Sequence, residues 1–351
     1  MANFAFVETA ILHYKNILHV NDAIIQDQRR YFVLTDDRVF RLCYPLLPNL
    51  KSYPCLVIPQ GEKEKSLENC QAIWNFLVEN NADRKSVLIL LGGGVMLDMG
   101  GFAASVYQRG ISTIYIPTTL LSMADAAIGG KTAVNFLQYK NFIGSFYPPE
   151  STHICPDFLK TLSESDLLNG WAEMLKHGII ADARHFDEGM RFLKSGKRIP
   201  PTHLVHQTAS IKNKIVKLDP YEHGLRKKLN AGHTIGHAIE EFYISKNREI
   251  GHGHAVAIGL YLESWIAAQM QILGQAAFEK IKELTEIYAP VNFSREDMPQ
   301  LVALCLKDKK NLNGQILMVL AENIGHVQID IPVSREQILN ALETYYDEFI
   351  A

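Results

Sequence analysis

The chain is poor in the features that would set it apart from ordinary globular proteins. No apolar run approaches the roughly 18 residues that a membrane-spanning helix needs. The opening stretch MANFAFVETAILHYKNILHV is broken by Glu8 and Lys15, so it lacks the basic start and unbroken apolar core of a signal peptide. Cysteine is scarce. Cys43, Cys55, Cys70, Cys155 and Cys305 are odd in number, scattered and free of any C-x-x-C. That argues against a disulfide framework and a thiolate metal site, and for a reducing compartment. There is no excess of positive charge. A net charge of −3 gives no general reason to expect a nucleic-acid or membrane partner. Internal repeats and low-complexity segments are missing too, and the cytoplasm is the expected location. What is there is 351 residues, 47% apolar and 21% charged, enough for two domains with a core each.

The first part of the chain alternates short β-branched runs with longer helical patterns. YFVLTD (31–36), PCLVIP (54–59), SVLILLGGG (86–94) and STIYIPTT (112–119) are expected strands. They are continuous apolar runs, as strands buried on both faces of a parallel sheet require. SLENCQAIWNFLVENN (66–81) reads as an amphipathic helix capped by Ser66. The expectation is therefore an α/β domain with a Rossmann-like parallel sheet over residues 1–155. Pro148, Pro149 and Pro156 mark a boundary. From there to residue 351 the patterns are mainly helical, at 163–180, 201–217, 231–244, 253–274 and 274–289. Only QILMVLAE (315–322) and HVQIDIP (326–332) look extended.

Several stretches could carry chemistry. GGGVMLDMGGF (92–102) follows a strand and opens a helix, so bare backbone could approach a pyrophosphate there. It is not the usual dinucleotide fingerprint, because Leu97 stands at the third glycine position. A tight turn without ligand is the plainer alternative. Asp98 could accept hydrogen bonds from a ribose or from the loop, or serve as a first-turn acid. The run 117–149 concentrates Thr118, Thr119, Asp125, Gly129, Gly130, Lys131, Asn135, Lys140 and Asn141. Gly130-Lys131-Thr132 resembles the end of a phosphate loop, but Ala124 occupies the place of its first glycine. Histidine is concentrated late: seven of the thirteen lie within 203–254. His233 and His237 share a helical face four residues apart, and His252 and His254 follow. Such pairs are more often satisfied interior groups than ligands, although two or three histidines and one acid would suit a catalytic zinc. Glu173 in DLLNGWAEMLKHGII is a candidate acid. Its spacing to Lys176 is equally that of an exposed i,i+3 ion pair, and spacing does not say which histidine would meet it. Finally, 211–230 and 306–314 concentrate lysine and arginine, which suits either solvated faces or an anionic substrate.

Taken in order, these motifs resemble the 3-dehydroquinate synthase family of sugar phosphate cyclases. The segments are G-G-G-V-x-x-D-x-x-G-F at 92–102, P-T-T-L-L at 117–121, D-x-x-x-G-G-K at 125–131 and K-N-x-I-G-x-F at 140–146. They continue with W-A-E-x-x-K-H-G at 171–178, L-N-x-G-H-T-x-G-H-A at 229–238, H-G-x-A-V at 252–256 and D-K-K-N at 308–311. The resemblance runs from about Gln60 to Ile329. It implies an NAD-binding α/β domain followed by a helical domain holding zinc or cobalt. It also implies a cytoplasmic homodimer acting on a small sugar phosphate.

Metal ligation would fall to Glu173, His233 and His252. NAD would lie along Gln60, Gly61, Glu62, Lys63, Glu64 and Lys65, along Gly94, Val95, Met96, Leu97 and Asp98, and against Thr118, Thr119, Lys131, Lys140, Phe158, Leu159, Lys160 and Thr161. Substrate would be held by Asp125, Lys131, Asn141, Lys176, Lys212, Arg226, Asn230, His237 and Lys309, with Arg109 reaching the phosphate across a dimer interface. The implied reaction converts 3-deoxy-D-arabino-heptulosonate 7-phosphate to 3-dehydroquinate and phosphate in the shikimate pathway, with no net redox change. The chain departs from the family pattern at His254, where H-G-E-A-V has an acid, and at Ala231, where a larger residue is usual. The rival readings are a valiolone- or inosose-forming cyclase, a metal-dependent polyol dehydrogenase of similar layout, and a non-catalytic NAD-binding regulator.

Overall fold

The computed structural model describes residues 9–137, 139–306 and 315–351. The chain divides into two compact units. One gathers Met1–Leu167 and Pro201–Tyr221, the other Leu168–Pro200 and Glu222–Ala351.

The first unit is built on β1 (Ala10–His13), α1 (Ile17–Ala23), β2 (Tyr31–Asp36), α2 (Asp37–Leu42) and β3 (Cys55–Ile58). These are followed by α3 (Leu67–Glu79), β4 (Val87–Gly92), α4 (Gly94–Val106) and β5 (Ser112–Pro117). Next come the strands β6 (Lys131–Phe136), β7 (Tyr139–Phe146) and β8 (Ser151–Ile154). Six strands pair in parallel in the order β1-β8-β5-β4-β2-β3. β2 and β4 are almost wholly buried, which is why their apolar runs do not alternate. Ser66 accepts the Asn69 N–H and starts α3 where the pattern places it.

Two strands of the sheet were not expected. β1 and β8 are four-residue strands, and β8 lies between the prolines that mark the boundary, inside the expected 1–155 domain. The 117–149 run, singled out for its small and polar residues, contains the antiparallel hairpin β6–β7. After α5 (Glu164–Ala181), whose first residues belong to this unit, and α6 (Ala183–Lys194), the helix α7 (Thr202–Leu218) returns to it. The sequence pattern places that helix in the helical half; Lys212 ties it to Asp125, in the short helical turn Ser122–Ala126 of the first unit.

The sheet positions its own site. All six strands run the same way, so their C-terminal ends share one edge. Asp36 stands opposite Ile58 there, and Gly92 opposite Pro117. The chain lays β3 outside β2 and then crosses back to place β4 on the other side, so the strand order reverses between β2 and β4. Parallel α/β sheets bind ligands at such a switch point.

The second unit carries most of α5, then α6, α8 (His233–Ser245), α9 (His252–Gln269), α10 (Gln275–Lys282), α11 (Met298–Leu306) and α12 (Arg335–Phe349). The expected extended segments form the antiparallel pair β9 (Ile316–Asn323) and β10 (His326–Val333). α5 is buried on every side from Gly170 to Ile180, and α9 along most of its length. Glycine allows α8 and α9 to touch: a Cβ on Gly259 would lie 2.0 Å from the Gly232 carbonyl oxygen. No described helix is long and apolar enough to cross a membrane.

Candidate active site

In the first unit, the glycine run closes β4 and opens α4. Gly93 is the N-cap of α4 and no side chain caps the helix, so its first-turn N–H groups point past bare backbone. A Cβ on Gly93 would sit 3.1 Å from the Thr119 methyl carbon, and one on Gly94 3.3 Å from the Ala126 Cβ. The close packing that a third fingerprint glycine would give is supplied one turn later. Cβ atoms on Gly100 and Gly101 would meet Leu90 at 2.5 Å and the Tyr115 hydroxyl at 2.2 Å.

Around this loop the structure gathers much of what the resemblance implied. Gln60–Lys65 follow β3, Thr118 and Thr119 follow β5, and Phe158–Thr161 follow β8, all at the C-terminal edge. Lys65 is buried, donates to Asp98 Oδ2 at 2.6 Å, and also donates to the Asn141 side chain. Burial raises the Asp98 carboxyl above its usual range, and the Lys65 ammonium opposes that rise. Asp98 therefore engages a lysine rather than standing clear. Lys131 and Lys140 lie exposed on the β6–β7 hairpin. Lys212 holds Asp125 twice, at 2.6 Å to Oδ1 and 2.7 Å to the backbone oxygen. Arg109 is set apart: it follows α4 with φ 74° and precedes β5, at the opposite edge of the sheet from the glycine loop.

One residue at this edge was missed. Asp36 ends β2 and caps α2, with its Oδ2 3.6 Å from where a Gly92 Cβ would be. Burial raises its carboxyl, while the backbone N–H groups of Val39 and Arg38 oppose the rise. The available signal was the acid closing YFVLTD at the switch-point strand.

In the second unit, α5, α8 and α9 each contribute one residue to a cluster. Glu173, His233 and His252 offer ligand atoms that all lie within 4.8 Å of one another. Glu173 Oε1 is 3.5 Å from His233 Nε2 and 3.3 Å from His252 Nε2. The remaining ring nitrogens are committed elsewhere. His233 Nδ1 donates to the Ala231 carbonyl at 3.0 Å, and His252 Nδ1 donates to Glu240 Oε2 at 2.8 Å. A carbonyl or carboxylate can only accept, so in each ring Nδ1 carries a proton, and Nε2 is the nitrogen turned toward Glu173. Such outer partners fix the tautomer of metal-binding histidines, and one acid with two imidazoles suits a divalent metal with an open position. The residues present fit a zinc-type ion.

The two histidines differ in charge. Burial holds His233 well below the usual histidine range, with Lys176 adding to the effect, so it is neutral. Burial opposes charge on His252 as well, but its hydrogen bonds to Glu173 and Glu240 outweigh it and push the group up to about 10, so a metal at its Nε2 would take the place of a proton. Glu173 and Lys176 pair at 0% and 1% side-chain exposure, so the surface i,i+3 ion pair that spacing allowed is ruled out. The reason is that α5 is buried on all sides.

His237 lies exposed beside the cluster, its ring edge-on to His233 with centroids 5.1 Å apart. Arg226 is buried, and Asn230 donates to Glu222 at 2.8 Å. Lys309 and the D-K-K-N segment lie outside the described residues. His254 turns away from the cluster: its Nε2 contacts the Ala289 carbonyl at 2.6 Å and its ring lies against Tyr288. Glu240, unnoticed in the sequence, was signalled by standing one turn after His237 on the same face.

Comparison with known proteins agrees with both halves. The family model for the 3-dehydroquinate synthase N-terminal region matches residues 55–169, and that for the C-terminal region matches 170–311. The 3-dehydroquinate synthase of Parabacteroides distasonis is 40% identical over 329 residues, 91% of this chain and 92% of that one. Among solved structures, a 2-epi-5-epi-valiolone synthase from Streptomyces hygroscopicus subsp. jinggangensis with NAD+ and Zn2+ bound superimposes with a TM-score of 0.88. It is 27% identical and covers 99% of each chain. A 2-deoxy-scyllo-inosose synthase, complexed with carbaglucose-6-phosphate, NAD+ and Co2+, shares the fold at a TM-score of 0.82 and 21% identity, over 95% of this chain and 96% of its own. The chain belongs to the 3-dehydroquinate synthase family.

Proposed function

We propose that the protein is a 3-dehydroquinate synthase that turns 3-deoxy-D-arabino-heptulosonate 7-phosphate into 3-dehydroquinate and phosphate. The reaction is a transient oxidation, β-elimination of phosphate, re-reduction and intramolecular aldol closure. The observation that carries the reading is the Glu173–His233–His252 cluster, with Nδ1 of both histidines hydrogen-bonded behind it and Nε2 turned toward Glu173, in a chain of this family.

Glu173, His233 and His252 would hold a zinc or cobalt ion, and the α4 N-terminus with Lys65, Asp98, Thr118 and Thr119 would hold NAD. When bound, NAD takes up and later returns a hydride, while the metal lowers the pKa of the substrate hydroxyl to be oxidised. The chain's own work is positioning and charge. His237, exposed beside the cluster, binds a substrate oxygen and moves its proton. Arg226 and Asn230 hold the substrate carboxylate. Lys212, braced on Asp125, offers a cation to the anionic substrate, as do Lys131 and Lys309, and Asn141 is kept in place by Lys65. Lys176 balances Glu173. We read the protein as a homodimer in which Arg109 serves the partner's phosphate site, supported by its place at the far edge of the sheet from the glycine loop.

The test is phosphate release with NAD present, before and after chelator treatment, with sedoheptulose 7-phosphate as control. Chelator-sensitive release from the heptulosonate alone is expected. Release only from the control would assign the chain to another cyclase activity. Release from neither would end the cyclase reading.

A further inference from the structure

The two histidines of the cluster differ in what stands behind them. His252 has a carboxylate directly on Nδ1, from Glu240. His233 has a peptide carbonyl, that of Ala231. The same peptide unit carries the Gly232 N–H, and that N–H donates to Glu263 Oε2 at 2.6 Å. Glu263 is thus joined to His233 through one peptide bond: carboxylate, Gly232 N–H, Ala231 carbonyl, Nδ1–H.

Glu263 is built into this position. It is 2% exposed, and its second oxygen accepts the Ile235 N–H at 3.0 Å. Gly232 is the N-cap of α8 in a left-handed conformation, φ 74°, and has no side chain with which to cap. An N-terminal capping box satisfies the N-cap and N3 amides with two local side chains. Here a single carboxylate from α9 takes both, since Ile235 is the third residue of α8. The approach depends on Gly259, whose Cβ would meet the Gly232 carbonyl oxygen at 2.0 Å. Eleven residues separate His252 from Glu263, close to three helical turns, so α9 presents both on one face, about 16 Å apart.

We infer that Glu263, acting through the Ala231–Gly232 peptide, is a positioning residue that orients His233 and strengthens its Nε2 as a metal donor; this rests on the metal reading above. Hydrogen bonds in a chain polarise one another, more so at low local dielectric. A carboxylate pulling on the Gly232 N–H makes the Ala231 oxygen a better acceptor for Nδ1–H, and the Nε2 lone pair more basic. His233 thereby gains through a peptide what His252 receives directly from Glu240. Outer partners of metal-binding histidines typically change metal affinity 10- to 100-fold when removed.

The experiment uses the full chain, stripped with chelator and titrated with Co2+, whose visible absorption reports the ligand field. E263Q keeps the shape and removes the charge. It is expected to bind Co2+ about 10-fold or more weakly, with an altered band, and to have no further effect in an H233A background. S264A, at the buried neighbour on another face of α9, is expected to leave affinity and band unchanged. E263Q matching the wild type in both readouts would overturn the inference. Should the variant not fold, amide hydrogen exchange on the wild type decides: Gly232 and Ile235 are expected to be protected, and fast exchange at both overturns the role. Wild-type protein that takes up no Co2+ defeats the metal reading itself, and this inference with it.

Discussion

Glu240 Oε2 lies 2.8 Å from His252 Nδ1, while the other nitrogen of that ring faces Glu173 Oε1 at 3.3 Å. One imidazole is therefore held between two carboxylates: Nδ1 donates to Glu240, and Nε2 is turned toward Glu173, where a metal would take the place of its proton. Replacing Glu240 by alanine removes the acceptor that orients this ring. E240A is expected to fold and to lose 10- to 100-fold in zinc affinity in competition with a chromogenic chelator. Unchanged affinity would show that Glu240 does not act on the site.

A second prediction concerns the cofactor side. Lys65 is buried between Asp98 and Asn141, and its ammonium opposes the rise that burial imposes on the Asp98 carboxyl. K65M removes that cation and frees Asn141 together. NAD affinity should drop at least 10-fold, while Co2+ binding at the other unit is unaffected. Isothermal titration with each ligand separates the two effects, and loss of both would point to general unfolding instead.

Gly253 is a steric prediction. It is the second residue of α9, one after His252, and a Cβ there would lie 2.0 Å from the Asn169 backbone oxygen on α5. Backbone cannot step aside as a flexible side chain can. G253A is expected to cost about 3 kcal/mol in urea unfolding and to weaken metal binding, because α5 carries Glu173. A neutral G253A would mean that the helices are not in close register.

A fourth prediction is a pH dependence remote from the cluster. His153 on β8 is 1% exposed, with Tyr14 Oη and Ser151 Oγ each 3.0 Å from a ring nitrogen, and burial pushes it down to about 4. The unfolded chain takes up this proton below about 6.5, and the native chain only near 4. Stability is therefore unaffected at higher pH and declines as pH falls between those values. The contribution is about 2 kcal/mol between roughly pH 7 and pH 4.5. Urea unfolding of H153Q at both pH values should show a shallower decline than wild type by that amount; equal slopes would remove His153 as the cause.

Much of the fold was legible in the residues. Continuous apolar runs placed β2, β4 and β5, and Ser66 placed the start of α3, because burial on both faces and capping leave local marks; β3, at the sheet edge, was placed by its apolar run although it is only partly buried. The short strands β1 and β8 were not legible. Four residues carry little periodicity, and the prolines around β8 signal a break although the backbone between them still pairs. The β6–β7 hairpin was hidden by its glycines and polar residues.

At the site, the order of motifs along the chain was enough to nominate Glu173, His233 and His252 through resemblance. Spacing alone left Glu173 and Lys176 as a possible surface pair, since i,i+3 geometry is the same on a buried helix and an exposed one. Only packing decided that α5 is interior and that the pair is buried.

By itself, the sequence determined the element types, the glycine loop at a strand end and the stock of ligating side chains, because periodicity, capping and residue chemistry are local properties. The tertiary structure alone decided which histidine nitrogens face Glu173, that Glu240 and Glu263 stand behind them, and that His254 turns away. Those facts depend on how α5, α8 and α9 cross. Crossings are set by contacts between residues far apart in the chain, such as Gly259 against Gly232 and Gly253 against Asn169, which no local pattern records.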